Sequence, residues 1–405
     1  MNIIKKYSKI FIKTFICIIL YPVVLLFEII NQYKTIKFIE IDSSRMGNFL
    51  CIVEGYFIKK NSLKNMKLIF FFRFPICNTQ IEKMAKRILN VKFNRLINYF
   101  YKVLLFWKKN DLIYRGNSFS TSVLCVNRQY PELKSIKPNV YFTNSEKDKG
   151  SKLIEQFGLT NQDKWICIHN RDSSYLNKIF PKNDWSYHLF RNFSVQSLSS
   201  AANFFASKGY YVLRMGSVVD EKFITNNDKI IDYANSKFRS DFLDVYLLAN
   251  CNFFFGSDSG VGIIPLTFQK PCYGINHFYT LFHRSRWLHP WSFTFKRLKN
   301  LDTGKLLSLK ETMNLSNNIN IFNLNKNFFI KNKLELLDNS EEEIKSFAIE
   351  IDKEMSGNYV ESKEDTKIQE EFWKIYFQYI NKNEISKTLP RISPSFLRSN
   401  LDLLN

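Results

Sequence analysis

The chain has 405 residues, of which 45% are hydrophobic and 16% aromatic, so it is long enough for two or three domains and is not a disordered protein. Its formal net charge of +21 predicts an anionic partner, namely a membrane surface, a nucleic acid or a phosphorylated substrate. The seven cysteines lack C-x-x-C spacing and the five histidines lack metal-ligand spacing, so we expect thiols without disulfide bonds in a reducing cytoplasm, and no metal site.

The N-terminal residues combine lysines with an apolar stretch, Thr14 to Phe27, which is interrupted by Pro22. This stretch is short for a membrane span, which needs about 20 apolar residues. A basic, proline-broken helix that lies in the interface or dips into one leaflet fits the pattern better, and residues 1–35 are therefore predicted to be a membrane-associated anchor. A single span and a buried core helix are the alternatives. The residues expected at anionic lipid headgroups are Lys5, Lys6, Lys9 and Lys13.

From Thr35 the chain alternates between strand and helix patterns, which predicts an N-terminal α/β domain over residues 36–160. Its first strand runs into a polar loop at Asp42–Asn48. A polar, helix-breaking segment at 159–164 is expected to link this domain to the next. The predicted strands are Thr35–Ile41, Lys67–Phe72, Asp111–Tyr114 and Asn139–Phe142, and the predicted helices are Phe49–Lys60, Thr79–Leu89 and Lys149–Phe157.

A second α/β domain is predicted over residues 161–335, with a parallel, doubly wound sheet. A helical C-terminal extension follows over 336–405, where Ser340 and Glu343 form a capping box and Gly357 ends the first helix. Residues 314–333 are rich in Asn and Lys and are expected to be a loop. The predicted strands are Trp165–His169, Tyr210–Leu213, Lys229–Asp232, Phe253–Gly256 and Pro271–Ile275, and the predicted helices are Val195–Ser207, Arg239–Asn250, Val261–Thr267, 341–355 and Thr366–Tyr379.

The turn after the Phe253 strand reads Gly-Ser-Asp-Ser-Gly over residues 256–260. Ligands of open α/β sheets bind beyond the carboxyl ends of the strands, which is where this turn lies. Gly256 and Gly260 would allow close backbone approach or a positive φ, and the N–H groups of Ser259, Gly260 and Val261 would face an anion at the start of the next helix. A plain strand–turn–helix with a Ser or Asp cap is the alternative.

Arginines near several strand ends indicate phosphate recognition, because a guanidinium group binds phosphate through a fork of two hydrogen bonds. The set consists of Arg171, Arg191, Arg214 and Arg239. Each one alone is also compatible with a surface or ion-paired position. Asp172 is either a general base or the ion-pair partner of Arg171, and His169 is a base, a donor to phosphate or a core histidine.

Several common functional motifs are missing from the sequence. It contains no Walker A loop, no G-x-G-x-x-G after the first strand, no G-x-S-x-G and no D-x-D after a strand. These absences disfavour P-loop NTPases, dinucleotide oxidoreductases, α/β-hydrolases and metal-dependent sugar transferases. A metal-free anion site lined by arginines in the second domain is the interpretation that is left.

The chain resembles two-domain bacterial glycosyltransferases of the GT-B fold, the class that includes lipopolysaccharide heptosyltransferases. The loop Ser44–Asn48 is similar to their Arg-x-Gly-Asp loop, and Gly256–Gly260 resembles their Gly-x-Asp-Thr-Gly turn, which contacts donor phosphate in that class. The segments at 169–172, 214–216 and 240–244 look closer still to a group of surface-polysaccharide glycosyltransferases. His169-x-Arg171 also resembles the His-x-Arg element of fucosyltransferases. The resemblance covers roughly residues 36–280.

The resemblance implies two Rossmann-like domains and a nucleotide sugar as co-substrate, with no other cofactor. One departure concerns Asn48, which stands where heptosyltransferases carry an aspartate that looks like the acceptor-side base, and asparagine cannot take a proton. Asp172 and Glu54 are the alternative carboxylates. The implied site has catalytic residues Asp172, His169 and Asn48, acceptor-side residues Arg45, Gly47 and Asn48, and donor-binding residues Arg171, Arg214, Gly216, Ser217, Arg239, Asp241, Ser257, Asp258, Ser259 and Gly260.

These observations predict a metal-independent glycosyltransferase that moves a sugar from a nucleotide-activated donor to a lipid-linked or cell-surface glycan. Its expected place is the cytoplasmic face of the bacterial inner membrane, bound to an anionic membrane surface. A non-catalytic nucleotide-sugar or glycan-binding protein of the same fold is the main alternative, and Asn48 is its best support. Nucleic acid is not an expected partner, because no recognised nucleic-acid module occurs and the lysines are dispersed.

Overall fold

The computed structural model describes residues 2–91, 95–114, 137–278, 292–317, 323–379 and 390–405. The chain forms two compact units. The first unit comprises Met1–Leu124 and Pro138–Phe142, and the second comprises Cys125–Lys137 and Thr143–Asn405. The six cysteines among the described residues form no disulfide bond, as the sequence predicts, and Cys125 lies outside those residues.

The first unit is built on two parallel strands, β1 (Ile36–Ile41) and β2 (Lys67–Phe72), which pair over their whole length. Single bridges add Ile113 beside β1 and Val91 beside β2. Both strands are rich in β-branched and aromatic residues, which favour the pleated, half-buried surface of a sheet. The helices of this unit are α1 (Asn2–Ile19), α2 (Tyr21–Tyr33), α3 (Met46–Lys59), α4 (Thr79–Ile88) and α5 (Arg95–Phe106).

Helices α1 and α2 belong to the first unit and pack against it through one side. Val24 is completely buried there, in a core shared with Phe38 and Tyr101. In the described part of the chain no single helix is both long and apolar enough to cross a membrane. Within the residues that were described, the one combination with the required length and composition is Phe11–Ile19 taken with Tyr21–Tyr33, a pair bent by 45°.

The second unit contains a seven-stranded sheet in which all neighbouring strands are parallel, in the order β11-β8-β7-β6-β3-β4-β5. A separate antiparallel pair, β9 and β10, completes the strands described. The strands are β3 (Trp165–His169), β4 (Tyr211–Arg214), β5 (Ile230–Ile231), β6 (Phe254–Gly256), β7 (Cys272–His277), β8 (Ser292–Phe295), β9 (Arg297–Asn300), β10 (Leu334–Leu337) and β11 (Arg391–Ile392).

Helices cover this sheet and supply about half of the buried residues of its core. α8 and α13 pack on each other and on the sheet, and their contacts include Phe205 with Phe255 and Phe347 with Tyr273. The helices are α6 (Asn144–Ile154), α7 (Ser174–Ile179), α8 (Ser199–Ser207), α9 (Asp241–Asn250), α10 (Ile263–Thr267), α11 (Leu309–Asn317), α12 (Lys326–Lys331), α13 (Glu341–Met355), α14 (Lys363–Tyr376) and α15 (Pro394–Arg398).

Local capping chemistry decides where several helices begin and end. Ser340 accepts a hydrogen bond from the backbone of Glu343, whose carboxylate accepts one from Ser340 in return, so the predicted capping box is confirmed. Gly357 follows α13 with a φ of 74°, the left-handed conformation that ends many helices. Thr143 forms a second capping box with Glu146, which starts α6 five residues before the predicted Lys149. This helix lies in the second unit, although the sequence analysis placed it before the predicted linker.

Three further predicted elements differ from the structure in type. Residues 139–142 form no strand, because the backbone N–H groups of Asn139 and Val140 donate to the Glu54 carboxylate instead of to a neighbouring strand. Asn110–Leu112 is a 3₁₀ turn, and only Ile113 of the predicted strand forms a bridge. The predicted loop at 314–333 contains the end of α11 and all of α12.

The C-terminal extension does not stand apart from the second unit. α13 belongs to the main sheet core, and β11 pairs with β8 at the edge of the sheet. Phe295 at the end of β8 contacts Phe372 and Phe396. The structure is thus a mixed α/β protein with a large parallel sheet, and the domain boundaries predicted from the sequence stay predictions.

Candidate functional site

The carboxyl edge of the seven-stranded sheet collects polar and charged residues. Parallel strands end at the same edge of a sheet, so the loops that follow them are neighbours. α9 runs into β6 and therefore begins at this edge as well. The residues that the strands bring there are His169–Asp172 after β3, Arg214–Ser217 after β4, Ser257–Gly260 after β6, His277 at the end of β7 and Lys296 after β8.

The Gly-Ser-Asp-Ser-Gly turn is joined directly to the end of β3. The backbone N–H of Ser257 donates to the His169 carbonyl at 3.0 Å, and the Ser257 hydroxyl accepts from the Arg171 backbone N–H at 2.9 Å. A Cβ atom at Gly256 would lie 2.5 Å from the His169 carbonyl oxygen, so glycine is required for the strands to approach this closely. Close approach, and not a positive φ, is therefore the reason for this glycine.

Arg171 is buried and lies beside a second guanidinium group. Its own guanidinium donates to the His188 carbonyl at 3.2 Å and to the side chain of Asn192, and among the described residues it forms no ion pair within 4.0 Å. Burial and the charge of Arg191 lower the pKa of Arg171 to about 9. Arg191 lies 3.9 Å from a carboxylate oxygen of Asp258. The turn therefore has two guanidinium groups beside it, and the carboxylates of Asp258 and Asp172 also act on Arg171.

The turn itself holds a buried hydroxyl group. Ser259 is 8% exposed, and its Oγ atom has no hydrogen-bond partner among the described residues. The helix that follows is shorter than predicted, because Gly260–Gly262 form a 3₁₀ turn and only Ile263–Thr267 are α-helical. Two glycines in three residues weaken the first helical turn. That the N–H groups of Ser259, Gly260 and Val261 face an anion stays a prediction.

His169 and Arg214 support the edge of the sheet from inside. The His169 ring nitrogen Nδ1 lies 3.0 Å from the Met215 carbonyl oxygen, which can only accept, so Nδ1 carries the proton. Burial lowers the pKa of His169 to about 4, which makes it a weak base at neutral pH. Arg214 is completely buried and donates to Asp232 and Asn170, each at 3.2 Å.

Asp172 uses both of its carboxylate oxygens to order the backbone. One accepts from the Ser174 N–H at 2.9 Å and the other from the Asp220 N–H at 3.0 Å. The carboxylate thereby ties the start of α7 to the loop after β4. Gly216 and Ser217 lie in that loop and are partly exposed, and a Cβ atom at Gly216 would lie 2.5 Å from the Val219 side chain.

Arg239 and Asp241 flank the N-terminus of α9, where Ser240 is the capping residue. Arg239 donates to the buried Asp244 at 2.7 Å and lies 3.7 Å from Asp241. The Tyr233 hydroxyl donates to the other oxygen of Asp244 at 2.8 Å. Burial still raises the pKa of Asp244 to about 6. These contacts engage Arg239 in holding the helix, and the donor-binding roles predicted for Arg239 and Asp241 stay predictions.

Lys296 and His277 reach the same edge and were missed by the sequence analysis. Lys296 is 2% exposed; its ammonium group donates to the Asn192 carbonyl at 2.6 Å and pairs with Asp338 at 2.5 Å. It thus holds the residue that accepts from Arg171. Burial lowers the pKa of His277 to about 4. The alternating aromatic pattern of Phe293 and Phe295 was the signal for β8, and a strand predicted there would have drawn attention to Lys296.

The acceptor-side loop of the first unit is organised around Asp42, which directly follows β1. The Ser44 hydroxyl donates to one Asp42 oxygen at 2.5 Å, and the Asn48 amide donates to the other at 2.6 Å. Arg73 and Arg45 lie 3.4 and 3.5 Å from the same carboxylate. Burial raises the pKa of Asp42, but the hydrogen bonds and arginines outweigh burial and leave it lowered. Gly47 lies in the first turn of α3, which this loop leads into.

Glu54 is not available as a base in this arrangement, because its carboxylate accepts hydrogen bonds from the Asn139 and Val140 backbone at 2.9–3.2 Å. Among the residues that the structure describes, no group of three or more His, Cys, Asp or Glu side chains could hold a metal ion. Apart from the Ser259 hydroxyl group, the polar side chains described above at the two strand-end clusters are held by hydrogen bonds or ion pairs within their own unit.

Comparisons with known proteins return solved structures only. No protein-family model matches the chain, and no curated protein matches it. A family 9 glycosyltransferase from Veillonella parvula is 10% identical with a TM-score of 0.36, and the match covers 60% of this chain and 80% of that one. An ADP-heptose lipopolysaccharide heptosyltransferase II from Escherichia coli is 12% identical with a TM-score of 0.35, over 59% and 84% of the two chains.

A dodecameric, iron-containing glycosyltransferase from enterotoxigenic Escherichia coli is 14% identical with a TM-score of 0.32, over 59% of this chain and 57% of that one. The three solved structures are glycosyltransferases, and they include the heptosyltransferase class that the sequence motifs indicated. The resemblance is confirmed to that extent. At TM-scores of 0.32–0.36 this likeness carries no argument about the chemistry of the chain.

Proposed function

We propose that this protein is a glycosyltransferase that moves a sugar from a nucleotide-activated donor to a hydroxyl group of a lipid-linked or cell-surface glycan. In this proposal the two units correspond to the two Rossmann-like domains of the GT-B fold. The second unit binds the donor, and the first carries the acceptor-side loop. The nucleotide sugar is a co-substrate, and no further cofactor takes part.

The observation that carries the proposal is the pair of neighbouring guanidinium groups at the carboxyl edge of the sheet. Arg171 and Arg191 lie close enough for one charge to lower the pKa of the other, and a nearby carboxylate, on Asp258, is 3.9 Å from Arg191. Ser259 adds a buried hydroxyl group that has no hydrogen-bond partner among the described residues. A bound diphosphate would neutralise the cations and satisfy this hydroxyl group.

The proposed reaction forms a bond between the acceptor oxygen and the anomeric carbon of the sugar. The bond from that carbon to the diphosphate oxygen breaks, the nucleoside diphosphate leaves with the electron pair, and the acceptor proton passes to a base. Fixed cations at the diphosphate stabilise the charge that develops on the leaving group. Arg171 and Arg191 supply that charge, and Lys296 and Asn192 hold Arg171 in position.

The acceptor-side loop would orient the attacking hydroxyl group. Ionised Asp42 can only accept hydrogen bonds, so the NH₂ group of Asn48 must face it, which leaves Asn48 Oδ1 to accept from the acceptor hydroxyl. Asn48 would thus position the hydroxyl group without taking its proton. The catalytic roles predicted for Asp172 and His169 stay predictions, since both side chains also hold backbone groups in place.

A second candidate function is non-catalytic binding of a nucleotide sugar or glycan. Its support is that Asn48 cannot accept a proton, while the other carboxylates considered, Asp172 and Glu54, accept hydrogen bonds from backbone amides. The two candidates differ in turnover. An enzyme releases nucleoside diphosphate from a panel of nucleotide sugars, at least slowly by hydrolysis, whereas a binding protein retains the intact donor.

The donor site is tested by calorimetric titration of nucleoside diphosphate into the parent protein and into Arg171→Ala. Loss of a charge-assisted hydrogen bond costs about 1.5–3 kcal/mol, so we expect the affinity to fall about ten- to hundredfold. Arg171→Lys should recover only part of it, since an ammonium group cannot reproduce the guanidinium fork. Arg398→Ala is the matched control, because Arg398 pairs with Asp365 away from this edge.

Circular dichroism establishes that each variant is folded before its affinity is compared. A folded Arg171→Ala protein that binds nucleoside diphosphate as tightly as the parent would place the donor elsewhere and remove the main support for the proposal. An equal loss in Arg398→Ala would show that the binding responds to total charge and not to this site.

A further inference from the structure

Helices α1 and α2 carry an uncovered apolar surface that the proposed reaction does not use. Phe11 is 72% exposed, and Phe15, Ile18 and Ile29 are each more than half exposed. Soluble proteins rarely leave so many large apolar side chains together in water. We name this the N-terminal apolar surface, and it consists of Tyr7, Phe11, Ile12, Phe15, Ile18, Ile19, Leu25, Leu26, Ile29 and Tyr33.

The opposite side of the two helices is fixed to the first unit. The Trp107 indole N–H donates to the Cys17 carbonyl at 3.1 Å, and its ring lies 4.6 Å from that of Tyr21. Glu28 on α2 pairs with Lys109 at 2.8 Å. A helix pair held along one side by protein cannot be surrounded by lipid as an isolated transmembrane span is. The exposed side alone is available for contact with another phase.

On a helical wheel of the α1 sequence, the lysine positions fall away from the apolar positions. At 100° per residue, positions 5, 6, 9 and 13 fall within an arc of about 100°, roughly opposite the positions of Phe11, Phe15 and Ile18. A basic stripe against an apolar stripe is the pattern of helices that lie in the plane of a membrane interface, where lysines reach anionic headgroups and apolar side chains enter the acyl region.

We propose that the N-terminal apolar surface docks on an anionic lipid bilayer and enters one leaflet without crossing it. Charge favours this occupant over a second copy of the chain. Each copy carries a formal charge of +21, so two copies of the chain repel each other. An anionic bilayer offers apolar depth and opposite charge together.

The test is flotation of the full chain with vesicles of phosphatidylglycerol and phosphatidylethanolamine. We expect Phe11→Glu/Phe15→Glu to lower the partition coefficient at least about tenfold, because two carboxylates replace apolar groups that enter the leaflet. Val360→Glu is the matched control, since Val360 is 85% exposed in the second unit and its variant should float like the parent. Lys13→Glu should weaken binding about fivefold and only with anionic vesicles.

The proposal is overturned if the folded double variant floats as the parent does, or if the parent binds no vesicles. It is also overturned if light scattering shows a parent dimer that the double variant converts to a monomer while vesicle binding stays unchanged. Nucleoside diphosphate affinity is measured on the same proteins. It should be equal in all of them, so failure of the membrane proposal and failure of the donor site are distinguished.

Discussion

At the end of β1, the buried carboxylate of Asp42 accepts from Ser44 and Asn48 and lies within 3.5 Å of two arginines. At the end of β3, the buried guanidinium of Arg171 has neutral hydrogen-bond acceptors and a second guanidinium beside it. The first cluster balances its charges with its own residues. The second has Asp258 3.9 Å from Arg191, but among the described residues it leaves Arg171 without an ion pair and the buried Ser259 hydroxyl group without a hydrogen-bond partner.

This difference shows how similar strand-end architecture can serve two purposes. A charge cluster that is complete within its unit fixes the shape of a loop and gains little from a ligand. A cluster with surplus charge destabilises the empty protein, and an anion that neutralises it is bound more tightly in return. The first arrangement suits orientation of a neutral hydroxyl group, and the second suits a diphosphate.

The largest expected difference between the units is their response to acid. All five histidines have numbers above 168 and so fall in the second unit, where burial lowers the pKa of His169 and His277 to about 4. Unfolded histidine titrates near 6.5, so the unfolded state binds more protons between these values, and stability is lost as the pH falls from 7 to 5. We expect about 2 kcal/mol from each histidine, offset by about 1.5 kcal/mol from Asp244, whose raised pKa acts in the opposite direction.

The net loss of about 2.5 kcal/mol should be confined to the second unit. Asp42 in the first unit has a lowered pKa, so its contribution to the unfolding free energy of that unit persists until the pH falls below about 4. Hydrogen exchange read by mass spectrometry at pH 7 and pH 5, corrected for the intrinsic rates, measures each unit separately. His169→Gln should remove about half of the histidine contribution. Equal acid sensitivity of both units would refute this assignment.

The next largest effect concerns the charge cluster around Asp42. Asp42→Asn removes a charged acceptor and turns one side of the group into a donor that faces the Asn48 amide. We expect the first unit to lose about 1–2 kcal/mol of unfolding free energy, while nucleoside diphosphate affinity is unchanged. Urea unfolding and calorimetric titration measure the two quantities. The exposed pair of Lys333 and Asp302 supplies a control, because Asp302→Asn should change neither. A donor affinity that fell in Asp42→Asn would contradict the division of roles.

A substitution with a smaller expected effect should strengthen anion binding at the cluster of Arg171 and Arg191. Asp258 lies 3.9 Å from Arg191, and its negative charge opposes that of a bound diphosphate. Asp258→Asn keeps the shape and removes the charge, so we expect nucleoside diphosphate affinity to rise about two- to fivefold, or roughly 0.5–1 kcal/mol. Calorimetry at two salt concentrations checks the electrostatic origin. A loss of affinity would mean that Asp258 contacts the donor directly.

The smallest expected effect is that of a chelator. If arginines supply the positive charge at the diphosphate, transfer or donor hydrolysis should continue unchanged in EDTA. Product release is measured with and without the chelator, after dialysis. Loss of activity that manganese or magnesium restores would overturn the metal-independent proposal, and restoration by iron would do the same.

The alternation of apolar and polar segments was enough to predict five of the seven strands of the main sheet, β3 to β7. β2 and β3 have the predicted boundaries, and Ser340 and Gly357 mark helix ends that backbone chemistry determines locally. Predictions were wrong where tertiary contacts replaced local pairing. The N–H groups of Asn139 and Val140 go to Glu54, which lies 85 residues away in sequence, and no local pattern indicates this.

The sequence predicted which residue types occur at the site and where in the fold they lie, but it did not predict the environment of each side chain. The rule that strand ends share an edge brought Arg171 and Ser257 together, which the hydrogen bond between them bears out. It could not show that Arg214 would be completely buried against Asp232, because burial depends on the loop after β4. Lys296 was missed because β8 begins next to aromatic, basic residues that hid the strand pattern.

The place of β11 in the sheet has a consequence for synthesis of the chain. β8 is flanked by β7 and β11, yet Arg391–Ile392 are made about a hundred residues after Ser292. At a translation rate of roughly 5–20 residues per second, a nascent β8 waits about 5–20 seconds with one edge unpaired. An exposed strand edge is a template for pairing with other chains. The ribosome-bound protein is therefore most open to aggregation in that interval, when chaperones that shield strand edges would matter most.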